Sequence, residues 1–200
     1  MEGFPAIARV TAEAAPAKFR VHYDDPQAVV LLVEALRERV ARYLPGVELP
    51  PVLLCIGTDR STGDSLGPLV GSKVATTGNG CYHVYGTLAE PVHAANLKEK
   101  IGEISRRHRK PLIVAVDASL GYLENVGYIN VGTGPVVPGA GVNKTLPPVG
   151  HIHVTAVVNV GGFYGVPRAT EHASQRGDAS GRSHRGRLHR CGQKTRVRWG

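Results

Sequence analysis

Residues 52–71 read VLLCIGTDRSTGDSLGPLVG, and the three parts of that stretch decide the fold. Residues 52–56 are apolar, rich in strand formers and bounded by Pro50-Pro51 and Gly57. The run is too short for an ordinary helix and reads as a buried strand. The next segment holds Gly, Thr, Ser and Asp, the residues of turns and caps. Residues 66–75 then read as a helix, with Pro68 tolerated in the first turn, where its missing N–H breaks no helical bond. The intervening loop sets Asp59, Arg60 and Asp64 at the mouth of the strand.

The same grammar continues on either side. PLIVAV at 111–116 is the clearest buried strand, ended by Asp117. Residues 82–85, 126–131 and 152–160 read as further strands, and RVHY at 20–23 as a short one. Apolar residues at helical spacing mark 28–44 as a helix. Asp24-Asp25-Pro26 opens it with a cap and a first-turn proline, and Gly46 and Pro50-Pro51 end it. Residues 91–108 read as a helix whose end, RRHRK, puts cations at the negative end of the helix dipole. Strands alternating with helices predict an α/β fold, a mostly parallel sheet with helices on both faces. Sites in such sheets form in the crevice beyond the carboxyl ends of the strands. If the first and third core strands are neighbours, Asp64 and Asp117 face one crevice.

The 200 residues suit one domain with extensions: a loose N-terminal segment at 1–19, a single α/β domain at 20–165 and a basic tail at 166–200. The formal charge of +8 belongs to the tail, where nine Lys/Arg stand against two Asp/Glu; the other 15 basic and 14 acidic residues nearly cancel. No apolar run approaches the roughly 20 residues that span a bilayer, and the N-terminus lacks the pattern of a signal peptide. Three cysteines without metal or disulfide spacing suit a reducing cytoplasm.

Two carboxylates in one partly desolvated crevice repel each other, so one keeps a proton while the other stays ionised. Such a pair can activate a water and protonate a leaving group, or it can hold a metal ion. The residues also admit structural readings. Asp64 stands where a helix N-cap stands, and Asp117 can cap a turn. His151 and His153, spaced to point the same way on one strand, and His93 after Glu90-Pro91 are candidate metal ligands or plain structural residues. The loop at 132–144 lacks the spacing of a phosphate-binding loop; it reads as a border of the crevice that presents Asn143 and Lys144 to a substrate. Ser61, Thr62 and Ser65 have no sequence-adjacent base.

Four ordered blocks, CIGTDRSTGDSLGPLVG, VDASLG, PGAGVNKTLPPVG and HVTAVVNVGGF, resemble the YyaC-type sporulation proteins described as spore proteases. That family resembles the spore germination protease and, more remotely, the hydrogenase maturation endopeptidases, which share a parallel α/β sheet. The resemblance matches Asp64 to the first acidic residue of those sites and Asp117 to the second. It implies a catalytic aspartate pair, as in the germination protease. In the hydrogenase endopeptidases the matching acids bind a metal with a histidine as third ligand. Here that would be nickel or zinc on Asp64, Asp117 and His153, with His151 as the alternative histidine, although no cofactor is expected. The implied function is a cytoplasmic endopeptidase of the forespore or spore core, acting on spore proteins and not on membranes. The alternatives are a binding protein that keeps the peptidase fold, or a chain inactivated by loss of its C-terminal helix.

The resemblance stops after Phe163, where such a protein is expected to continue with an amphipathic helix. With synonymous codons, a one-nucleotide shift beginning at Phe163 can be read as FMEYRVLQNTRLSVVMRLAEVIADGFI, which has that helical pattern. The basic tail is therefore read as a shifted frame. The competing reading is a tail that grips nucleic acid non-specifically through counterion release. Resequencing the gene across codons 163–168 is expected to show one extra nucleotide; an unshifted frame there would establish the basic tail as native.

Overall fold

The apolar run that opens the quoted stretch becomes part of β2, Glu48–Cys55, a central strand of a six-stranded sheet. The computed structural model describes residues 18–44, 46–60, 62–77, 80–138 and 146–160. In chain order the elements are β1 (Phe19–His22), α1 (Ala28–Ala41), β2, a 3₁₀ turn at Thr62–Asp64 and α2 (Leu66–Thr77). They are followed by β3 (His83–Tyr85), α3 (Leu97–Arg107), β4 (Pro111–Gly121), a 3₁₀ turn at Leu123–Asn125, β5 (Tyr128–Thr133) and β6 (Ile152–Val160). The strand order is β1-β5-β6-β4-β2-β3. β2 pairs in parallel with β3 and β4, and β4 in parallel with β6. β5 runs antiparallel to both its neighbours. The expected α/β fold with a mostly parallel sheet is thus observed.

Alternation along the strands sorts the core into two layers. Val52, Leu54, Ile56, Ile113 and Ala115 face α3, whose Leu97 and Ile104 are fully buried. Leu53, Cys55, Leu112, Val114, Val116, Val131 and Ile152 face the other way. That layer is closed by Leu32, Leu36 and Val40 of α1 and by Val70 and Val74 of α2. Helices therefore cover both faces. Each large side chain buried this way contributes about 1.5–3 kcal/mol against exposure.

Several boundaries differ from the sequence reading, each for a backbone reason. β1 begins at Phe19, inside the segment expected to be loose. Pro50 and Pro51 lie within β2, and the Leu49–Pro50 bond is cis. The ladder to β4 shifts register between Glu48 and Val52, so the prolines fall where regular pairing lapses. Residues 91–96 are not helical, because Val92 instead forms a parallel bridge to Ile56. Asp117 does not end β4: that strand continues to Gly121 because β6 keeps pairing with it after β2 has stopped at Cys55.

The first turn of α2 lies directly on the end of β2. A Cβ on Gly67 would stand 2.1 Å from the Ile56 carbonyl oxygen. Gly57, at φ +142°, makes the turn out of the strand, and a Cβ there would stand 2.0 Å from the Asp64 carbonyl oxygen. The glycines of the quoted stretch thus let loop and helix close onto the strand backbone.

Among the described residues no helix is long and apolar enough to cross a membrane. The described residues belong to one unit. The expected basic tail, residues 1–17, and Asn143 and Lys144 lie outside the described residues.

Candidate functional site

β2 and β4 are neighbours, so the geometric condition for a shared crevice is met. From β2 the chain passes through α2 to β3 on the outer side, while β4 has β6 on its other side. The strand order therefore turns between β2 and β4, which is where open α/β sheets place their sites.

Asp117 extends one residue beyond the last rung of the β2–β4 ladder, Cys55 opposite Val116, and lies opposite Thr155 of β6. Its side chain shares the face of Ile113 and Ala115, and the residue is only 6% exposed. Burial, and then the charge of Asp64, push its carboxyl up to about 7; the Ala118 backbone N–H opposes that rise. Asp64 ends the 3₁₀ turn that packs against β4. Half-buried, it is held above the ordinary carboxylate range by burial, against the opposing pull of the Thr58 backbone N–H and of His93. The two aspartates thus interact, and they are unequal: Asp117 is the one driven to keep a proton near neutrality.

The third group at the site is His93, reached through backbone bonds with no local sequence signal. The Gly57 N–H donates to the Val92 carbonyl at 2.8 Å, and the next N–H, that of Thr58, donates to the Asp64 carbonyl at 3.1 Å. One dipeptide therefore ties residues 64 and 92 together. The sequence reading placed His93 in the first turn of a helix; the spacing of Asn96, three residues on, marks the turn that actually forms. Asn96 Oδ1 accepts from the His93 N–H at 2.8 Å.

The other histidines serve the scaffold. His151 sits at the opposite, amino end of the sheet. Its Nδ1 accepts from the Ile113 N–H at 2.9 Å, its carbonyl accepts from the Tyr43 hydroxyl at 2.9 Å, and burial lowers its pKa. His153 lies opposite Ala115 on the face of Asp117, but its Nδ1 bonds the Gly134 carbonyl at 2.9 Å, beyond the end of β5. Among the described residues, no three His, Cys, Asp or Glu side chains are grouped to hold a metal ion. In this arrangement the His153 ring is turned to the Gly134 carbonyl and is not grouped with Asp64 and Asp117. Asp59 and Arg60 are exposed on the loop. Cys55, at the end of β2, is fully buried and its thiol is pushed up to about 12, which removes it as a nucleophile.

What remains is a proton-holding carboxyl, a more readily ionised carboxyl and an imidazole, gathered at the carboxyl ends of two central strands. Such a group can move protons to and from a bound water or a leaving group.

Residues 20–171 match the family described as "Protein of unknown function (DUF1256)", and the chain belongs to that family. The protein described as "Uncharacterized protein YyaC" from Bacillus subtilis (strain 168) is 56% identical over 114 residues, covering 57% of this chain and 56% of that protein. The chain thus spans little more than half the length of the curated relative it matches, and the YyaC-type likeness of its motifs is shown. No solved structure matches.

Proposed function

We propose that this chain is a peptidase that hydrolyses protein substrates with Asp64 and Asp117 as an acid–base pair. The observation that carries the reading is the inequality of the two carboxyls: Asp117 is pushed to about 7 beside an Asp64 that ionises more readily. In the proposed reaction, Asp64 takes a proton from a water, whose oxygen attacks the peptide carbonyl carbon. Asp117 gives its proton to the amide nitrogen, and the C–N bond breaks. A proton returned from Asp64 to Asp117 through solvent restores the starting state, so one water is added across the bond. The resemblance of the motifs to spore proteases supports spore proteins as the substrate class and the forespore or spore core as the place.

The pair works while Asp64 is ionised and Asp117 protonated. Activity is therefore expected to fall as pH rises through about 7, the value for Asp117. Incubation with total spore protein is expected to yield discrete products. Asp64→Asn and Asp117→Asn are each expected to lower the rate about 10²–10⁴-fold while the chain stays folded. Full activity in either variant would sink the mechanism, and intact substrate at every pH from acid to neutral would favour a binding protein on the same fold.

A further inference from the structure

We propose that the open edge of the sheet along β3 binds the protein substrate. A segment of extended chain adds beside His83–Tyr85, carries an acidic residue at its far end and leads into the crevice of the two aspartates. The inference rests on the peptidase reading of that crevice.

β3 ends the strand order, and among the described residues it pairs with β2 alone, so the other side of its backbone faces no strand. Such edges are usually blocked by proline, lysine or a bulge. His83-Val84-Tyr85 is short but carries none of these, and its register with β2 is regular. Each face of the edge also opens into a hollow. On the α2 face, where Val84 packs, the hollow measures about 290 Å³ and has no charged residue in its lining of Val74, Ala75, Gly80, Tyr82 and Val84. On the α3 face, where Tyr85 packs, it measures about 250 Å³ and is bordered by His83, Glu90, Lys100, Glu103 and Arg107. An extended polypeptide matches this arrangement: its main chain pairs with the edge while its side chains point alternately to the two faces. The α2 hollow then takes an uncharged side chain and the α3 hollow a polar one. The polar wall is set in advance. Tyr85 Oη and His108 Nε2 lie 3.1 Å apart, and the His83 and His108 rings are 4.5 Å apart between centroids. Glu103 pairs with Lys100 at 2.8 Å and with Arg107 at 3.2 Å.

The two ends of the edge differ. At the start of β3, His83 meets His108, and the cations on either side of that histidine, Arg106, Arg107, Arg109 and Lys110, are exposed. They attract an acidic residue. At the other end the α3 hollow runs past Gly86 to Val92, whose carbonyl accepts from the Gly57 N–H at 2.8 Å at the mouth of the crevice. An added strand lies three places from β4, about 14 Å at the usual strand spacing, which about four extended residues cross. With the segment paired along all of β3, the acidic residue falls about seven residues from the cleaved bond.

The test uses the full chain carrying Asp117→Asn, so that a peptide stays intact. The probe is a fluorescein-labelled peptide in which valine alternates with threonine and one end bears two aspartates. Binding is read by fluorescence anisotropy and by the backbone amide signals of residues 83–86 in NMR. Those signals are expected to shift, and the same peptide N-methylated at alternate amides is expected to lose binding. Ala75→Phe, at an exposed position in the α2 hollow, is expected to weaken binding about tenfold or more. Arg106→Gln together with Lys110→Gln is expected to weaken it about three- to tenfold, an effect that salt erases. Unmoved amides at 83–86, or equal binding of the N-methylated peptide, overturn the proposal. So does a dimer paired through β3 that the peptide fails to part, since the edge then belongs to a second copy. In the parent chain, cleavage without any change at 83–86 overturns this proposal and leaves the peptidase reading standing. Binding at the edge without cleavage of any spore protein overturns the peptidase reading alone. Should Ala75→Phe fail to fold, Ala75→Leu gives the same readout.

Discussion

At pH 8 the Asp117→Asn protein is expected to melt well above the parent chain, and the gap is expected to vanish in acid. The reason is proton linkage. The Asp117 carboxyl is raised from 3.8 to about 7 by folding, so between those values the native state holds a proton that the unfolded chain releases. Stability contributed by this group must then fall as pH rises through that window and level off above it. A shift of about three units corresponds to about 4 kcal/mol. Asparagine keeps the shape, carries no charge and avoids that cost. For a chain of this size about 4 kcal/mol is about 10 °C in Tm. Melting curves at pH 4, 6 and 8 decide the matter: a gap that widens with pH supports a desolvated carboxyl, and a constant gap excludes one. The same variant is expected to lose cleavage, so stability and activity should part company at one residue, as happens where a site is strained for function.

Gly67→Ala is expected to destabilise the protein by about 2–3 kcal/mol, against the sign that helix propensity gives. In an exposed helix interior, alanine is favoured over glycine by about 1 kcal/mol. Here the added methyl would stand 2.1 Å from the Ile56 carbonyl oxygen and 2.7 Å from its carbonyl carbon and nitrogen. Ile56 cannot yield easily, because its N–H bonds the Val116 carbonyl at 2.7 Å and the residue also bridges Val92. The helix must lift instead, at an overpacking cost of about 1–3 kcal/mol or more. Because Asp64 lies just before α2, it would be drawn away from Asp117. Urea denaturation should therefore show a lower midpoint, and the Asp117 titration should move down as its neighbour's charge recedes. A variant as stable as the parent would mean that helix and strand are not seated this closely.

The strands most legible in the sequence are those buried on both faces, which read as continuous apolar runs at residues 52–56 and 111–116; residues 152–160, only partly buried, read as a strand from their β-branched residues. Asp64 and Asp117 could be placed together because each follows such a run. The extension of β4 past Asp117 was not legible, since it rests on backbone pairing with β6 and leaves no side-chain period. The proline pair in β2 and the bridge of Val92 to Ile56 are likewise backbone events. His93 stood in the sequence only as a candidate ligand or structural residue; its nearness to Asp64 was not legible, because nothing local ties it to a residue twenty-nine positions earlier. His151 and His153 looked alike by spacing. They differ because one is held at the amino end of β4 and the other is turned to the Gly134 carbonyl.

The position of β6 bears on when the site comes into being. The last of the described strands to be synthesised, β6, inserts between β4 and β5 in the interior of the sheet. A nascent chain that has emerged only as far as residue 150 has β4 and β5 with open edges and Asp117 without its Thr155 neighbour. The flank of Asp117 that faces β6 is therefore completed only when this late strand docks, so the buried setting of that carboxyl depends on the last strand as well as on the earlier ones.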